Sequence, residues 1–241
     1  MSRKVFNRFY NTLCNRWLNK ELPSMKEELT EYFNGSSTTG TQPITLWFAV
    51  RHILKNKPKM ILESGTGAST IVLSLAVKKL KAADPTYECK IVSMESVQDW
   101  YEIAKANLPE HHSDIVEIIY GPRQQYDVTM FRGYIHSNIP DYDYDFVFLD
   151  GPYFDDDKGT SFCADVLYVY QSLGKKKLRG VFDGRASSAF VIQTLFGKKC
   201  VTYFIPSLAG KFCIPEGKSF ETFHTTDFRS GLSGRLYLKN R

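Results

Sequence analysis

The sequence has few cysteines and none of the spacings that form metal sites or disulfide frameworks. Five cysteines are scattered over 241 residues, and no two of them form a C-x-x-C pair. A zinc ribbon requires such pairs, and a disulfide-stabilised secreted domain requires an even set. The cysteines, which we expect to be reduced and mostly buried, are Cys14, Cys89, Cys163, Cys200 and Cys213.

Long apolar runs are also absent. No stretch approaches the ~18–20 consecutive apolar residues of a membrane-spanning helix. The N-terminal residues contain no uninterrupted apolar core of the kind that a signal peptide has. We therefore expect no membrane span and a cytoplasmic location.

Charge is nearly balanced and is not concentrated in one block. The chain has 31 Lys and Arg against 26 Asp and Glu, a formal net charge of +5. Nucleic-acid-binding proteins usually concentrate their basic residues on one stripe or face. This distribution indicates that nucleic acid is an unlikely partner, and an acidic small substrate or a merely solvated surface explains the same charge. It does not indicate an oligomeric state.

From Lys59 onward, short apolar and β-branched runs alternate with helical stretches. Buried parallel strands have continuous apolar sequences, and the helices between them cover both faces of the sheet. We predict an α/β fold, a Rossmann-like, doubly wound, mostly parallel sheet, over residues 59–241, with a last strand at 234–240. Residues 1–58 have helical periodicity and are predicted to form an N-terminal helical extension that caps the pocket.

The stretch ILESGTGAST, residues 61–70, has the form of a nucleotide-binding turn: an apolar strand, Glu63, then Gly65 and Gly67. A P-loop is excluded because its phosphate-binding lysine is missing. The dinucleotide fingerprint is met at both glycines, but Thr70 stands at its third glycine position. Glu63 would also repel a pyrophosphate. The turn therefore favours a cationic ligand such as S-adenosylmethionine, and a dinucleotide stays the alternative.

The next apolar strand ends in Glu95, where a carboxylate can accept hydrogen bonds from both ribose hydroxyls of a nucleotide cofactor. Dinucleotide sites use an acidic residue in the same way, so Glu95 alone does not discriminate between the two ligands. Ser96 follows and is predicted to be the N-cap of the next helix, with Asp99 three residues later.

Three stretches together resemble class I S-adenosylmethionine-dependent methyltransferases: ILESGTGAST, IVSMESVQDWYEIAKANL and YDFVFLDGPY. The resemblance covers about residues 59–205. It implies that Glu63, Gly65 and Gly67 hold the methionine part of the cofactor and that Glu95 holds the ribose. Residues 120–125 would approach the adenine. Two further expected cofactor-binding residues are Ser69 and Ser96.

The reacting groups are expected at the carboxyl ends of later strands, where open parallel sheets bind their ligands. Asp150 and Asp183 each end an apolar run and are each followed by glycine. Some relatives of this family hold Mg²⁺ through acidic residues at these positions, commonly with Asn after the second. Here Gly184 and Arg185 follow Asp183, so we expect no metal.

We predict that Asp150 acts as a base or orients the substrate, and that Arg185 pairs with Asp183 or binds an anionic substrate. His224 is a weaker candidate for the base, and residues 121–143 have the length of a loop that covers a substrate.

The predicted activity is S-adenosylmethionine-dependent methyl transfer to a hydroxyl of a small molecule or glycan. The alternatives are an NAD(P)-dependent oxidoreductase and a nucleotide-binding partner subunit without catalytic activity.

Overall fold

The computed structural model describes residues 3–35, 42–152, 155–156, 159–204, 207 and 209–219. The helices are α1 (Arg3–Glu21), α2 (Met25–Gly35), α3 (Pro43–Asn56), α4 (Ala68–Ala83), α5 (Gln98–Asn107), α6 (Asp165–Ser172) and α7 (Ala186–Phe196). The strands are β1 (Met60–Ser64), β2 (Lys90–Glu95), β3 (Val116–Tyr120), β4 (Arg123–Gln125), β5 (Gly133–His136), β6 (Phe146–Leu149), β7 (Asp155–Asp156), β8 (Gly159–Thr160), β9 (Phe162–Cys163), β10 (Leu178–Phe182), β11 (Val201–Tyr203) and β12 (Gly210–Ile214).

Seven strands form one sheet in the order β3-β2-β1-β6-β10-β12-β11. The first five are parallel, and β12 is antiparallel to both of its neighbours. The predicted α/β fold with a mostly parallel sheet is therefore confirmed. The strand order reverses between β1 and β6, and ligands of such sheets bind beyond the carboxyl ends of the strands at this reversal. The fold thus places the candidate site beside Ser64 and Leu149.

The central strands are buried on both faces, which explains their continuous apolar sequences. Ile61 on β1 packs toward one side, with α4, and Leu62 packs toward the other, with α6 and α7. All four residues of β6 are fully buried. Polar residues can therefore be tolerated on β1 only where the strand ends.

The three N-terminal helices share a hydrophobic core with one face of the sheet. Leu18 of α1, Met25 of α2 and Val50 of α3 belong to the same buried cluster as Ile61 and Ile71. The extension therefore covers the face that α4 alone leaves open. The division of the chain at residues 58 and 59 stays a prediction.

Helix α1 has two apolar faces, and only one of them is turned inward. Phe9 is 54% exposed and Leu13 is 42% exposed, whereas Cys14 and Leu18 are buried. Cys14 and Leu18 lie four residues apart, on one side of the helix, where they contact the core.

Two parts of the fold differ from the sequence predictions. Within residues 121–143, which we expected to be a covering loop, β4 and β5 form an antiparallel pair, and β9 extends it as a small second sheet. Strand β12 was not predicted. The predicted strand at 234–240, the candidate His224 and residues 36–41 lie outside the described residues. No helix in the described part of the chain is long and apolar enough to cross a membrane.

Candidate active site

The turn after β1 contacts the turn after β6 backbone to backbone. Gly65 has a φ of 97°, and a Cβ built on it would lie 2.9 Å from the carbonyl carbon of Asp150 and from the amide nitrogen of Gly151. A Cβ built on Gly151 would lie 2.8 Å from the Cα of Gly65. Both positions therefore require glycine, one for its positive φ and both for the close approach.

Glu63 is buried directly beneath this turn. Its Oε2 accepts hydrogen bonds from the hydroxyls of Thr70 and Ser93, each at 2.6 Å. The side chain is fully buried, and Oε1 has no hydrogen-bond partner among the described residues. One oxygen is thus held by the protein, while the other keeps unused acceptor capacity, which is unusual for a buried polar atom.

Burial raises the pKa of Glu63 from its ordinary 4.5 to about 7, and neighbouring hydroxyl groups offset part of that rise. Ser69 is one of these neighbours and lowers the pKa of Glu63. Its hydroxyl is buried and has no partner with hydrogen-bonding geometry in the described part of the chain. Within the same part, no salt bridge reaches Glu63. Its buried carboxyl therefore lacks a counter-ion supplied by those residues.

The amino end of α4 already faces the Glu63 carboxyl. Gly67 is the N-cap and donates its amide to Thr70 Oγ1 at 3.1 Å, and that hydroxyl in turn donates to Glu63. In a dinucleotide site the pyrophosphate takes this place at the helix N-terminus. Here the position is shared with a carboxyl group, which disfavours a second anion. The φ of Gly67 is 167°, an ordinary extended backbone.

Glu95 ends β2 and is only 5% exposed. Its Oε1 accepts the backbone amides of Ser96 at 2.7 Å and Val97 at 2.9 Å. Oε2 makes neither of these bonds. The Glu95 carboxyl is thus held in place at the carboxyl end of β2.

The prediction that Ser96 caps the next helix is wrong. The N-cap of α5 is Val97, and no side chain in the described part of the chain caps that helix. The amides of Ser96 and Val97 both bond to the carboxyl of Glu95, so the helix begins one residue later. Ser96 lies beside Glu95, partly buried, and its role in cofactor binding stays a prediction.

Asp150, Asp183 and Arg185 lie together beyond β6 and β10. The Arg185 guanidinium places Nε 3.2 Å from Asp183 Oδ1 and Nη2 3.6 Å from Asp150 Oδ1. Its Nη1 donates to the carbonyl of Pro152 at 2.8 Å, and Nη2 donates to the carbonyl of Asp150. The predicted pairing of Arg185 with Asp183 is therefore present in the structure. Since the guanidinium nitrogens already contact these protein groups, few of their N–H donors are left for an anionic substrate.

The two aspartates influence each other. Burial raises the pKa of Asp150 well above its usual value, the negative charge of Asp183 raises it further, and Arg185 offsets part of the effect. Burial also raises the pKa of Asp183, against the lowering effect of Arg185. The side chains of Asp150 and Asp183 are still 28% and 24% exposed, so a substrate can reach them. A raised pKa brings a carboxyl closer to the range in which general bases work.

The N-terminal extension reaches this end of the sheet. A Cβ on Gly184 would lie 3.6 Å from Nε2 of Gln42, the residue that precedes α3. The extension is therefore in contact with the turn that carries Asp183 and Arg185.

Several polar residues of this region were missed by sequence reasoning. Ser93 lies two residues before Glu95 on the same strand. Because side chains two residues apart on a strand point to the same face of the sheet, its orientation could have been predicted. His136 and Asp165 form a fully buried pair, with Nδ1 2.7 Å from Oδ2, and nothing local in the sequence links them. His111 and His112 both contact Glu28 of α2 and do not contact the described residues of the site.

Comparisons with known proteins give structural similarities only. No protein-family model matches the chain, and no curated protein matches it. The SAH-bound methyltransferase PaMTH1 of Podospora anserina is 15% identical, with 76% of this chain and 71% of that chain covered and a TM-score of 0.48. The METTL16 methyltransferase domain is 17% identical, with coverages of 74% and 70% and a TM-score of 0.42. A dimethyladenosine transferase of Plasmodium falciparum is 15% identical, with coverages of 72% and 60% and a TM-score of 0.36.

Identities this low bear on fold alone, and TM-scores below 0.5 carry no argument about chemistry. The strand order and the three strand-end motifs are properties of this chain itself. The chain resembles class I S-adenosylmethionine-dependent methyltransferases in fold.

These comparisons correct one expectation from the sequence. The absence of a basic block led us to expect that nucleic acid is an unlikely partner. One of the similar structures is named as a dimethyladenosine transferase, and dimethyladenosine is a methylated nucleoside. The expectation is corrected: a balanced charge is no reason to exclude nucleic acid. Net charge describes the whole surface, whereas a nucleoside can be bound in one pocket.

Proposed function

We propose that this protein is an S-adenosylmethionine-dependent methyltransferase. The observation that carries the proposal is the Glu63 carboxyl at the amino end of α4: it is fully buried, and its Oε1 is unpartnered among the described residues. A cationic ligand would supply the missing counter-charge, and a pyrophosphate would add to the repulsion. This contrast favours S-adenosylmethionine over NAD(P).

The residues around Glu63 fit such a ligand. Gly65 lets the turn after β1 pack directly against the backbone of Asp150 and Gly151, and the buried Ser69 hydroxyl has unused hydrogen-bonding capacity. Glu95 is held by its own loop through Oε1, which leaves Oε2 for the ribose hydroxyls. Glu63, Gly65, Gly67 and Ser69 would then hold the methionine part. Bound S-adenosylmethionine supplies a methyl group on a cationic sulfur, which is open to in-line attack.

The aspartate pair would act on the acceptor. Asp150 lies across the Gly65–Gly151 contact from the cofactor turn and is partly exposed. With its raised pKa, it is suited to take a proton from an acceptor hydroxyl as the oxygen attacks. Asp183 and Arg185 would keep the Asp150 carboxyl oriented, since Arg185 contacts both aspartates.

The acceptor group we propose is a hydroxyl, and a small molecule or glycan is the first class to assay. Ribose hydroxyls of RNA belong in the same panel, since net charge does not exclude nucleic acid. A hydroxyl is favoured because it must lose a proton during transfer, and the aspartate pair can accept it.

Two measurements test the proposal. Isothermal titration should show binding of S-adenosylmethionine and S-adenosylhomocysteine but not of NAD or NADP; tight NAD(P) binding would instead support the oxidoreductase. Transfer of a labelled methyl group to members of the acceptor panel should then depend on Asp150. Cofactor binding without transfer to any acceptor class would support the non-catalytic partner subunit.

A further inference from the structure

Outside the candidate active site, three possible metal ligands converge beside α4. Glu28 of α2, His111 and His112 offer one ligand atom each, and these atoms all lie within 4.8 Å of one another. Nε2 of His112 is 2.6 Å from Glu28 Oε2, and Nε2 of His111 is 3.2 Å from the same oxygen. The two imidazole rings, with centroids 4.3 Å apart, thus direct their outer nitrogens to one point.

The orientation of one ring is fixed by a second contact. His112 is fully buried, and its Nδ1 lies 2.8 Å from the hydroxyl of Ser74 on α4. Metal-binding histidines generally have their other ring nitrogen held in this way, which sets the tautomer and aims the ligand nitrogen. His111 is 54% exposed at its side chain, so the position is open to ions from solvent.

We propose that Glu28, His111 and His112 form a binding site for a late first-row divalent cation, with Zn²⁺ as the best match. Two imidazole nitrogens and one carboxylate are a donor set that Zn²⁺ uses, with water completing a four-coordinate site. Mg²⁺ and Ca²⁺ prefer oxygen donors and are expected to bind poorly. The ion would link α2 of the N-terminal extension to the short 3-10 turn Glu110–His112 that precedes β3.

One basic side chain opposes the ion. The charge of Lys78, on α4, interacts with the charges of both Glu28 and His112. Like charge weakens cation binding, so Lys78→Gln should tighten it. Lys78→Gln is thus expected to strengthen cation binding, whereas replacement of a metal-binding residue is expected to weaken it.

The experiment uses the full chain without an affinity tag, treated with a chelator and dialysed, and titrated with ZnCl2 in a calorimeter. We expect one equivalent to bind, and Zn²⁺ at 100 times the Kd to raise the Tm by about 5–10 °C. His111→Ala and Glu28→Gln should weaken binding at least ~10-fold. Both avoid the buried His112, whose replacement endangers folding. Glu27→Gln, on the same turn of α2, is the matched control and should bind like the wild type.

The proposal is overturned if the wild type does not bind Zn²⁺ in the micromolar range, or if His111→Ala and Glu28→Gln bind as tightly as the wild type. Loss of binding in Cys213→Ser, with His111→Ala unaffected, would place the ion at the half-buried thiol and equally overturn it. MgCl2 and CaCl2 should give no comparable Tm shift, and equal shifts with all three ions would contradict an imidazole site.

Discussion

Glu63 lies at the end of β1 and Asp150 lies just beyond the neighbouring parallel strand β6. Burial raises the pKa of both side chains, but among the described residues only Asp150 has a cation beside it. Arg185 contacts Asp150 and Asp183 at 3.6 and 3.2 Å. Glu63 receives only hydroxyl donors among the described residues, and one of its oxygens is left without a partner. We call the end of β1 that carries Glu63 the Glu63 half of the site, and the ends of β6 and β10 that carry Asp150, Asp183 and Arg185 the Asp150 half. The two halves therefore differ in how their carboxyl groups are compensated.

The difference follows from how a buried carboxyl can be compensated. A carboxyl without a counter-ion destabilises the folded protein when it ionises, and a ligand that carries a cation removes that cost on binding. A carboxyl paired with arginine is already compensated and gains less from a further cation. We infer that the Glu63 half suits a cationic cofactor and that the Asp150 half suits proton transfer.

The largest expected effect comes from removing the proton acceptor in the Asp150 half. Asp150→Asn keeps the shape of the side chain but cannot take a proton, so kcat should fall by about 10²–10⁴-fold. The Kd for S-adenosylmethionine should change far less, because the change lies in the acceptor half. Kinetics and calorimetry on the same preparation separate the two quantities. Asp143→Asn, at an exposed ion pair, is the control, and full activity of Asp150→Asn would remove Asp150 from the mechanism.

The next effect concerns the stability of the ligand-free protein. Because the pKa of Glu63 is about 7 when folded and 4.5 ordinarily, the folded state holds the extra proton between these values. The group's contribution to stability is therefore present below about pH 4.5 and is lost as the pH rises through about 7. Glu63→Gln should stabilise the ligand-free protein at pH 8 by roughly 3 kcal/mol. Denaturant unfolding measures this free energy.

Glu117→Gln, at an exposed position of β3, is the matched control for that experiment and should change stability little. If Glu63→Gln is no more stable than the wild type at pH 8, the carboxyl of Glu63 is compensated by a group we have not identified, and the comparison between the two halves fails.

A smaller effect is expected at Glu95. Loss of its charge-assisted hydrogen bonds to the ribose in Glu95→Ala should weaken cofactor binding by about 1.5–3 kcal/mol. Calorimetry should also show S-adenosylhomocysteine weakened to the same degree, because both molecules carry the same ribose. Glu102→Gln, exposed on α5, is the control. Unchanged affinity in a folded Glu95→Ala protein would remove Glu95 from the site.

The smallest expected effect is that of added magnesium. Arg185 lies against both aspartates, so its positive charge opposes a cation between them. Addition of Mg²⁺ to chelator-treated protein should therefore leave turnover unchanged. Activity that returns only with Mg²⁺ would show that Asp150 and Asp183 share a metal.

The strand-end residues could be predicted because their signals are local. An apolar run that stops at Glu63 or Glu95 and is followed by a turn marks the carboxyl end of a buried strand, and parallel strands bring these ends together. The same reasoning places Asp150 and Asp183 beside each other. The hydroxyls of Thr70 and Ser93 were not predicted as partners of Glu63, since their convergence depends on how α4 and β2 pack.

The remaining differences have similar tertiary causes. Ser96 has good N-cap chemistry, but the carboxyl of Glu95 takes the nearby amides and shifts the helix start. Helix α1 has two possible apolar faces, and contact with α3 selects the one that contains Cys14 and Leu18. Strand β12 was missed because its pairing with β10 depends on residues far along the chain.

The central claim is that the Glu63 carboxylate serves as the counter-ion of a cationic cofactor, and the pH dependence of binding tests it most directly. The Kd for S-adenosylmethionine should be measured by calorimetry between about pH 5.5 and 7 in the wild type and in Glu63→Gln. Because the pKa of Glu63 is about 7, its carboxyl becomes charged as the pH rises through this range. The affinity of the wild type should therefore rise roughly ten-fold from about pH 5.5 to about pH 7. Glu63→Gln should bind more weakly at about pH 7 and almost independently of pH. Equal pH dependence in both proteins, or tighter binding by Glu63→Gln, would contradict the account.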